Sequence, residues 1–569
     1  MFGFICEMIM KDIAKMPTKS YIVLLLCLGT ILINPLISDK IIPGHDYAFH
    51  VSRILDVAES LKTGIFPVRI YVDDIQFWGT PVGIFYPGLF LYFPALLKLA
   101  GIPTEICYNL FIAMILYIGI ISSWYGFSIL ARSKITGFFS SILYVSSGYY
   151  MIDTYIRNAL GELLGLSFLP LAIACIIDFI TKKRISHKCF ILGIFSISAI
   201  IESHVLMSAF LVIFSLFLII SNYKLISLKI VKRLFIVVSL IFFLNATFII
   251  PFLFYYVNVP LEIDYINYFS QSGFDFKHLL LFFVFFNFWL FVALYFYLKT
   301  IIFGYNYENT FLYNKKSLTK KLFINYNAFF CLGLLFTLLS SQLIPWDTLY
   351  PLKMIFETMQ FSWRFLGIAT LFLSICGGVG LRLLLYGMRL KTRTIVLLSA
   401  IMCMTNLITM AFFNPLPFNK IEQKVNWCGV ISNSISDYLY KGMNVQELFK
   451  LDNQYITNVE IHNWHKKLTD VSFTYSAKVD STITIPLVNY PGYIATDQKG
   501  NEIQIKENSN HVMVVLLPKG EGNVEIHYNG LLLFKISDII SLITLVFIVF
   551  YMIQIQRQKK WNLFMQLAE

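Results

Sequence analysis

Long apolar runs separated by short polar breaks dominate the chain as far as residue 413, and one more follows near its end. Runs of spanning length fall at 21–38, 105–131, 135–151, 160–180, 188–202, 204–221, 234–257, 278–303, 326–344, 363–386, 394–413 and 533–553. Because about 20 apolar residues in helical form cross the hydrocarbon core of a bilayer, the pattern predicts about twelve transmembrane helices. The run Leu89 to Ala100 is shorter and contains Pro94 and Lys98, which predicts an interfacial helix lying on the membrane. Ahead of it, Asp46 to Thr63 has helical amphipathic spacing in Phe49, Ile54, Leu55, Ala58 and Leu61, and stops at Gly64.

The period changes after residue 413. Val471, Phe473, Tyr475, Ala477 and Val479 alternate with polar residues, as do Val524, Ile526 and Tyr528, and DQKGN and PKGEGN supply turns. A small helix near 434–451 followed by a β-sandwich is expected there. The fold class is thus a polytopic α-helical membrane protein with interfacial helices in its first outer loop and a small extracytoplasmic β-sandwich. Its parts are a transmembrane module at 1–413 with first outer loop 39–104, a water-exposed domain at 414–532, and a last helix with its tail at 533–569.

Composition agrees: 57% of residues are hydrophobic and only 14% charged, so most of the chain is lipid-facing or buried. Lys11, Lys15 and Lys19 precede the first run, and no small-residue cleavage site follows it, which predicts an uncleaved first span. If 89–100 does not cross, alternate loops collect the cations: Arg132 and Lys134; Lys182, Lys183, Arg184 and Lys188; Lys224, Lys229, Lys232 and Arg233; Lys315, Lys316, Lys320 and Lys321; Arg389, Lys391 and Arg393; and Arg557, Lys559 and Lys560. By the positive-inside rule both termini are cytoplasmic, and 39–104 and 414–532 are outside. The formal charge of +12 is then a matter of anchoring to anionic lipid and calls for no nucleic-acid partner. Eight of the nine cysteines lie in or beside apolar runs and form no metal or disulfide pattern.

On this topology the ionisable groups gather on the outer side: His45, Asp46, His50 and Arg53; Asp73 and Asp74; Arg157 and Glu162; Glu202 and His204; Glu262 and Asp264; Asp347; and Glu357 and Arg364, with Gln360 between. Charges at membrane depth are costly and are usually functional or paired. Asp46 and His50, four apart, share one helical face. Asp46 reads as a helix cap, as a general base with His50 beside it, or as part of a metal site with His45 and His50. Arg157 and Glu162 read as a local ion pair or as a phosphate ligand with its support, since guanidinium binds phosphate through two parallel hydrogen bonds. Arg364 has the same two readings, and its neighbours Phe361 and Trp363 read as interface-belt aromatics or ligand contacts. Asp73, Asp74, Trp78 and Tyr86 form either a solvated turn or a sugar-binding surface.

Several stretches together resemble a family. GHDYAFHVSRILDVAESLKTGIFPVRI followed by WGTPVGIFYPGLFLYFPALLKLAGIP is similar to the first outer loop of GT-C type membrane glycosyltransferases, with YPGL at 86–89 in the place of their YPPL-like turn. YIRNALGELLGLSFLPL, QFSWRFL and NYPGYIATDQKGNEIQI resemble bacterial YfhO-like membrane proteins, also labelled pyruvoyl-tetrahydropterin synthase-related. The resemblance covers nearly the whole chain, departing from the family at Gly88 and at Ser362, where proline is expected. It implies transfer of a sugar from a polyprenyl-phosphate donor to an envelope glycan, glycolipid or protein acceptor on the outer face. Asp46 would be the general base, and Arg157 and Arg364 would hold the donor phosphate. His50, Arg53, Asp73, Asp74, Tyr86, Glu162, Glu357 and Gln360 would support them or bind substrate. No cofactor and no metal are expected. The other classes compatible with these residues are a lipid or polysaccharide transporter and an accessory subunit of envelope assembly. A transporter would favour internal repeats and mid-membrane charge pairs, and neither is visible.

Overall fold

A computed structural model describes residues 16–72, 78–262, 269–283, 287–302, 316–349, 353, 356, 359–387, 391–413, 438–450 and 454–568, with backbone alone for 300–302, 316–325, 385–387, 449 and 559–568. Asp73, Asp74 and Glu357, and most of the segment expected to lead into the small helix near 434–451, lie outside the described residues. The chain divides into two compact units, one of residues 1–47, 108–234 and 265–420, the other of 48–107, 235–264 and 421–569.

Among the described residues five helices are long and apolar enough to cross a membrane: Thr104–Ala131, Leu160–Thr181, Ser362–Leu384, Thr392–Ala411 and Leu532–Gln558. A sixth arises if Leu228–Leu244 and Ala246–Asn258, bent by 78° at Asn245, are one span. Several of the expected spans are shorter helices. The first is Thr18–Leu32, of 15 residues. At 1.5 Å per residue that is about 22 Å, short of a full crossing. Pro35 ends it in a single tight turn, Asn34–Leu36, because proline offers no N–H to continue the ladder.

In the first unit, the run expected as one span at 135–151 is broken into Lys134–Val145 and Gly148–Ile152. A break inside an apolar core frees backbone groups that water cannot reach, so other partners must take them up. Asn406 donates to the Ser146 carbonyl at 2.6 Å and Asn287 accepts from the Gly148 amide at 3.1 Å, while the Ser147 hydroxyl caps the second piece. Helix Phe365–Gly387 packs on Lys134–Val145, Phe288–Ile302 and Lys316–Leu339, and Leu160–Thr181 packs on His187–Ile201.

Among its described residues the second unit contains the amphipathic helix Tyr47–Lys62, the short helix Tyr92–Leu99, and nine strands: β1 Ile456–Thr457, β2 Glu460–Lys467, β3 Asp470–Ala477, β4 Ser481–Val488, β5 Tyr493–Thr496, β6 Glu502–Ile503, β7 Ile505–Glu507, β8 Val512–Leu517 and β9 Gly520–Tyr528. They form two antiparallel sheets ordered β1-β4-β8-β7 and β2-β3-β9-β5-β6. Their inward residues, among them Phe473, Ile485, Val515 and Val524, join one core with Trp78 of the first loop. The last helix is tied in by Asp538, which accepts from Arg69 at 2.6 Å and from the Thr247 hydroxyl at 2.6 Å.

Candidate functional site

The polar centre of the first unit is built on an irregular turn. Between Gly148–Ile152 and Leu160–Thr181 the chain makes a π-helical turn, Asp153–Arg157, and leaves it through Asn158 in the left-handed conformation, φ 54° and ψ 39°. Asparagine tolerates that conformation because its short amide bonds to nearby backbone. Here the amide donates to the Thr154 carbonyl at 2.7 Å and accepts from the Gly44 amide at 2.9 Å. The His45 and Asp46 amides continue the contact, donating to the Ile156 and Arg157 carbonyls at 3.0 and 2.8 Å. Three consecutive backbone donors thus lock residues 44–46 onto the turn. Gly44 is required there: a Cβ at this position would stand 2.6 Å from the Ile156 carbonyl oxygen.

This docking brings Asp46 to two guanidinium groups. Burial pushes the Asp46 carboxyl above its ordinary value, while Arg157, Arg364 and His45, in that order, pull it down. The Arg157 guanidinium pairs with Asp153 and, at 3.0 Å, with Glu162, and it lies 4.4 Å from the centre of the Trp363 ring. Arg364 approaches the same Glu162 oxygen at 3.5 Å and donates to the Met359 carbonyl at 2.9 Å. Glu162 also accepts from the Tyr149 hydroxyl. Asp153, Arg157 and Glu162 are all buried, and Asp46 is half-buried.

The charge balance is close to neutral. Three carboxyl groups face two guanidinium groups, but burial pushes Asp153 well above the usual carboxylate range against the opposing pull of Arg157. His204, in the turn between His187–Ile201 and Val205–Ser221, is pushed by burial down to about 4, and Arg364 and Arg157 reinforce the shift while Glu162 opposes it. Burial thus favours the neutral imidazole beside the cluster. Such a set can hold an anion: rigid donors of fixed charge lie next to a carboxylate placed to accept a proton. Among the described residues no group of three or more His, Cys, Asp or Glu side chains is placed to hold a metal ion.

Of the other residues singled out in the sequence, Gln360 forms the link between Met359 and Phe361. Its φ is +64°, and the Phe361 amide closes a tight turn on the Met359 carbonyl at 2.7 Å, the same carbonyl that receives Arg364. His50, Arg53 and Tyr86 belong to the second unit. There Arg53, 1% exposed, donates to the Tyr86 and Pro87 carbonyls at 3.0 and 2.9 Å, with Tyr86, Phe49 and Tyr71 rings at 4.3, 5.3 and 5.7 Å from its guanidinium carbon. Its donors hold the YPGL turn in shape. The His50 ring meets the Tyr86 ring edge-on at 5.9 Å.

No family model and no curated protein matches the chain. Among solved structures it is similar to ArnT from Cupriavidus metallidurans, whose structure is described as bound to undecaprenyl phosphate, at 10% identity and a TM-score of 0.34, over 88% of this chain and 98% of that one. A likeness that loose carries no correspondence between residues.

Proposed function

We propose that the chain is a GT-C type membrane glycosyltransferase that moves a sugar from a polyprenyl-phosphate donor to an envelope glycan, glycolipid or protein on the extracytoplasmic face. The observation that carries this reading is the docking of Asp46, through three consecutive backbone N–H donors, onto the turn that bears Arg157. One partly buried place then holds the Asp46 carboxyl and two guanidinium groups braced by Glu162. The distribution of Lys and Arg over the loops supports the extracytoplasmic orientation.

In this reading Asp46 takes the proton of the acceptor hydroxyl as its oxygen attacks the anomeric carbon. The bond from that carbon to the phosphate oxygen breaks on the opposite side, so the product is inverted. Arg157 and Arg364 stabilise the charge that collects on the departing polyprenyl phosphate. Glu162 and Asp153 hold the guanidinium groups in place before the lipid arrives. Gln360, Glu357 and the loop residues Asp73 and Asp74 are the candidates for contacts to sugar hydroxyls, with His50, Arg53 and Tyr86 as supports of the loop.

Membranes containing the full chain and supplied with polyprenyl-phosphate sugars test this. Asp46→Asn keeps expression and insertion normal and lowers transfer by about 10²- to 10⁴-fold, the usual contribution of a general base. Transfer by Asp46→Asn at the wild-type rate would remove Asp46 from the mechanism.

A further inference from the structure

Tyr108, near the start of Thr104–Ala131, is 0% exposed, yet its hydroxyl has no hydrogen-bond partner among the described residues. An unpaired buried hydroxyl costs free energy, and phenylalanine would fill the same ring volume without that cost. A tyrosine at such a place is accounted for by a partner that arrives with a substrate. Tyr108 and Asp46 both belong to the first unit.

The chain fastens the two residues near each other. Asn109, next to Tyr108, donates from its side-chain amide to the Ser38 and Lys40 carbonyls at 3.2 and 2.7 Å. Ile41 and Ile42 follow, both buried, and then Gly44 donates to Asn158. The segment leading to Asp46 is thus tied at one end beside Tyr108 and at the other to the turn that bears Arg157. In keeping with this, Asp46 and Tyr47 are the ionisable groups whose charge reaches the Tyr108 hydroxyl. No hydrogen bond joins that hydroxyl to Asp46 directly. A carboxyl and a phenol that feel each other's charge without sharing a proton are spaced for an intervening oxygen that bonds to both.

We propose that Tyr108 is an acceptor-binding residue, whose O–H donates to the oxygen of the acceptor hydroxyl while that hydroxyl's own proton points at Asp46. The inference rests on the reading of Asp46 as the base. A hydroxyl oxygen has one proton and two lone pairs. Asp46 takes the proton, Tyr108 engages one lone pair and keeps its own proton, and the other lone pair forms the bond to the anomeric carbon as the bond to the phosphate oxygen breaks. Two fixed contacts on one atom set its line of attack. They also select the acceptor class: an amine nitrogen has a single lone pair, so once held by Tyr108 it has none left to attack with, and the site takes an alcohol.

The test compares wild type, Tyr108→Phe, Asp46→Asn and the double variant in membranes containing the full chain and supplied with polyprenyl-phosphate sugars. Tyr108→Phe is expected to lower transfer about tenfold, the size of one lost hydrogen bond. It binds undecaprenyl phosphate within about twofold of wild type and melts no lower, because the ring stays and only an unpaired hydroxyl goes. In the Asp46→Asn background the same change lowers the residual transfer by less than about twofold, since both groups act on one oxygen. Transfer by Tyr108→Phe at the wild-type rate overturns the inference and leaves Asp46 standing, and so does a lower melting temperature, a weaker hold on undecaprenyl phosphate, or a loss in the double variant equal to the product of the two single losses. Absence of transfer by wild type overturns the proposed function, and wild-type transfer by Asp46→Asn overturns the base; this inference falls with either.

Discussion

Arg157 and Arg53 are both buried arginines near aromatic rings, yet their polar partners differ in kind. Arg53 spends its hydrogen bonds on two backbone carbonyls and is wrapped by Phe49, Tyr71 and Tyr86, so its charge holds a turn. Arg157 is matched against two carboxyl side chains, Asp153 and Glu162, and shares Glu162 with Arg364. Carboxylates can be out-competed by an incoming phosphate or can change protonation; backbone carbonyls can do neither. The difference teaches that burial alone does not mark an arginine as a ligand-binding group. Its partners do.

The largest expected effect that sharpens this contrast comes from Gly44→Ala. The new Cβ would meet the Ile156 carbonyl at 2.6 Å and push residues 44–46 off the turn. Displacing a reacting group by about 1 Å costs on the order of 10²-fold in rate, so transfer falls by that much while undecaprenyl phosphate binding at the arginines is largely kept. Parallel loss of both would show that the segment serves the arginines and not Asp46. Next is Arg53→Met, which removes the charge and leaves the Tyr86 and Pro87 carbonyls without these donors. At about 1–3 kcal/mol for each buried group left unsatisfied, thermal stability drops, but binding of undecaprenyl phosphate per folded molecule is unchanged.

A smaller effect separates the two arginines by pH. Asp46 must be ionised to act as a base. Burial raises its pKa and Arg157 lowers it, so Arg157→Gln raises it further and moves the acid limb of the pH–rate profile to higher pH. Arg53→Met leaves that limb where it was. Furthest from the two arginines is the effect of Glu202, which burial pushes up to about 8 from 4.5. Its folded form keeps the proton where the unfolded chain has lost it. The resulting stability is fully present below about pH 4.5 and is lost as pH rises through about 8. Melting curves of wild type at pH 5, 7 and 9 therefore fall in midpoint, and Glu202→Gln flattens the fall; equal slopes would deny Glu202 that proton.

Much of this architecture can be read from periodicity. The run at 105–131 coincides with Thr104–Ala131, the run at 160–180 with Leu160–Thr181, and the alternation beginning at Val471 with Asp470–Ala477. The break at Ser146 and Ser147 is hidden, because the partners that make it tolerable, Asn287 and Asn406, lie far along the chain in other apolar runs. The site is legible only in its charged members. Asp46, Arg157, Glu162 and Arg364 stand out as costly groups among apolar runs. Tyr149 does not, since what relates it to Glu162 is the meeting of separate helical segments, and His204 stands out as an ionisable group but not as a neighbour of Glu162. Nor does any local pattern reveal that Asn158 receives the Gly44 amide across 114 residues. Trp363, which fits an interface belt by its position, lies over Arg157 instead.

The most direct test of the central claim is the affinity of the purified full chain for undecaprenyl phosphate, compared across wild type, Arg157→Gln, Arg364→Gln and Arg53→Met. A charged hydrogen bond contributes about 1.5–3 kcal/mol, roughly a 10- to 100-fold change in affinity. The account predicts a loss of that size for Arg157→Gln and Arg364→Gln, and affinity within about twofold of wild type for Arg53→Met. Wild-type affinity in both Arg157→Gln and Arg364→Gln, or an equal loss in Arg53→Met, would contradict it.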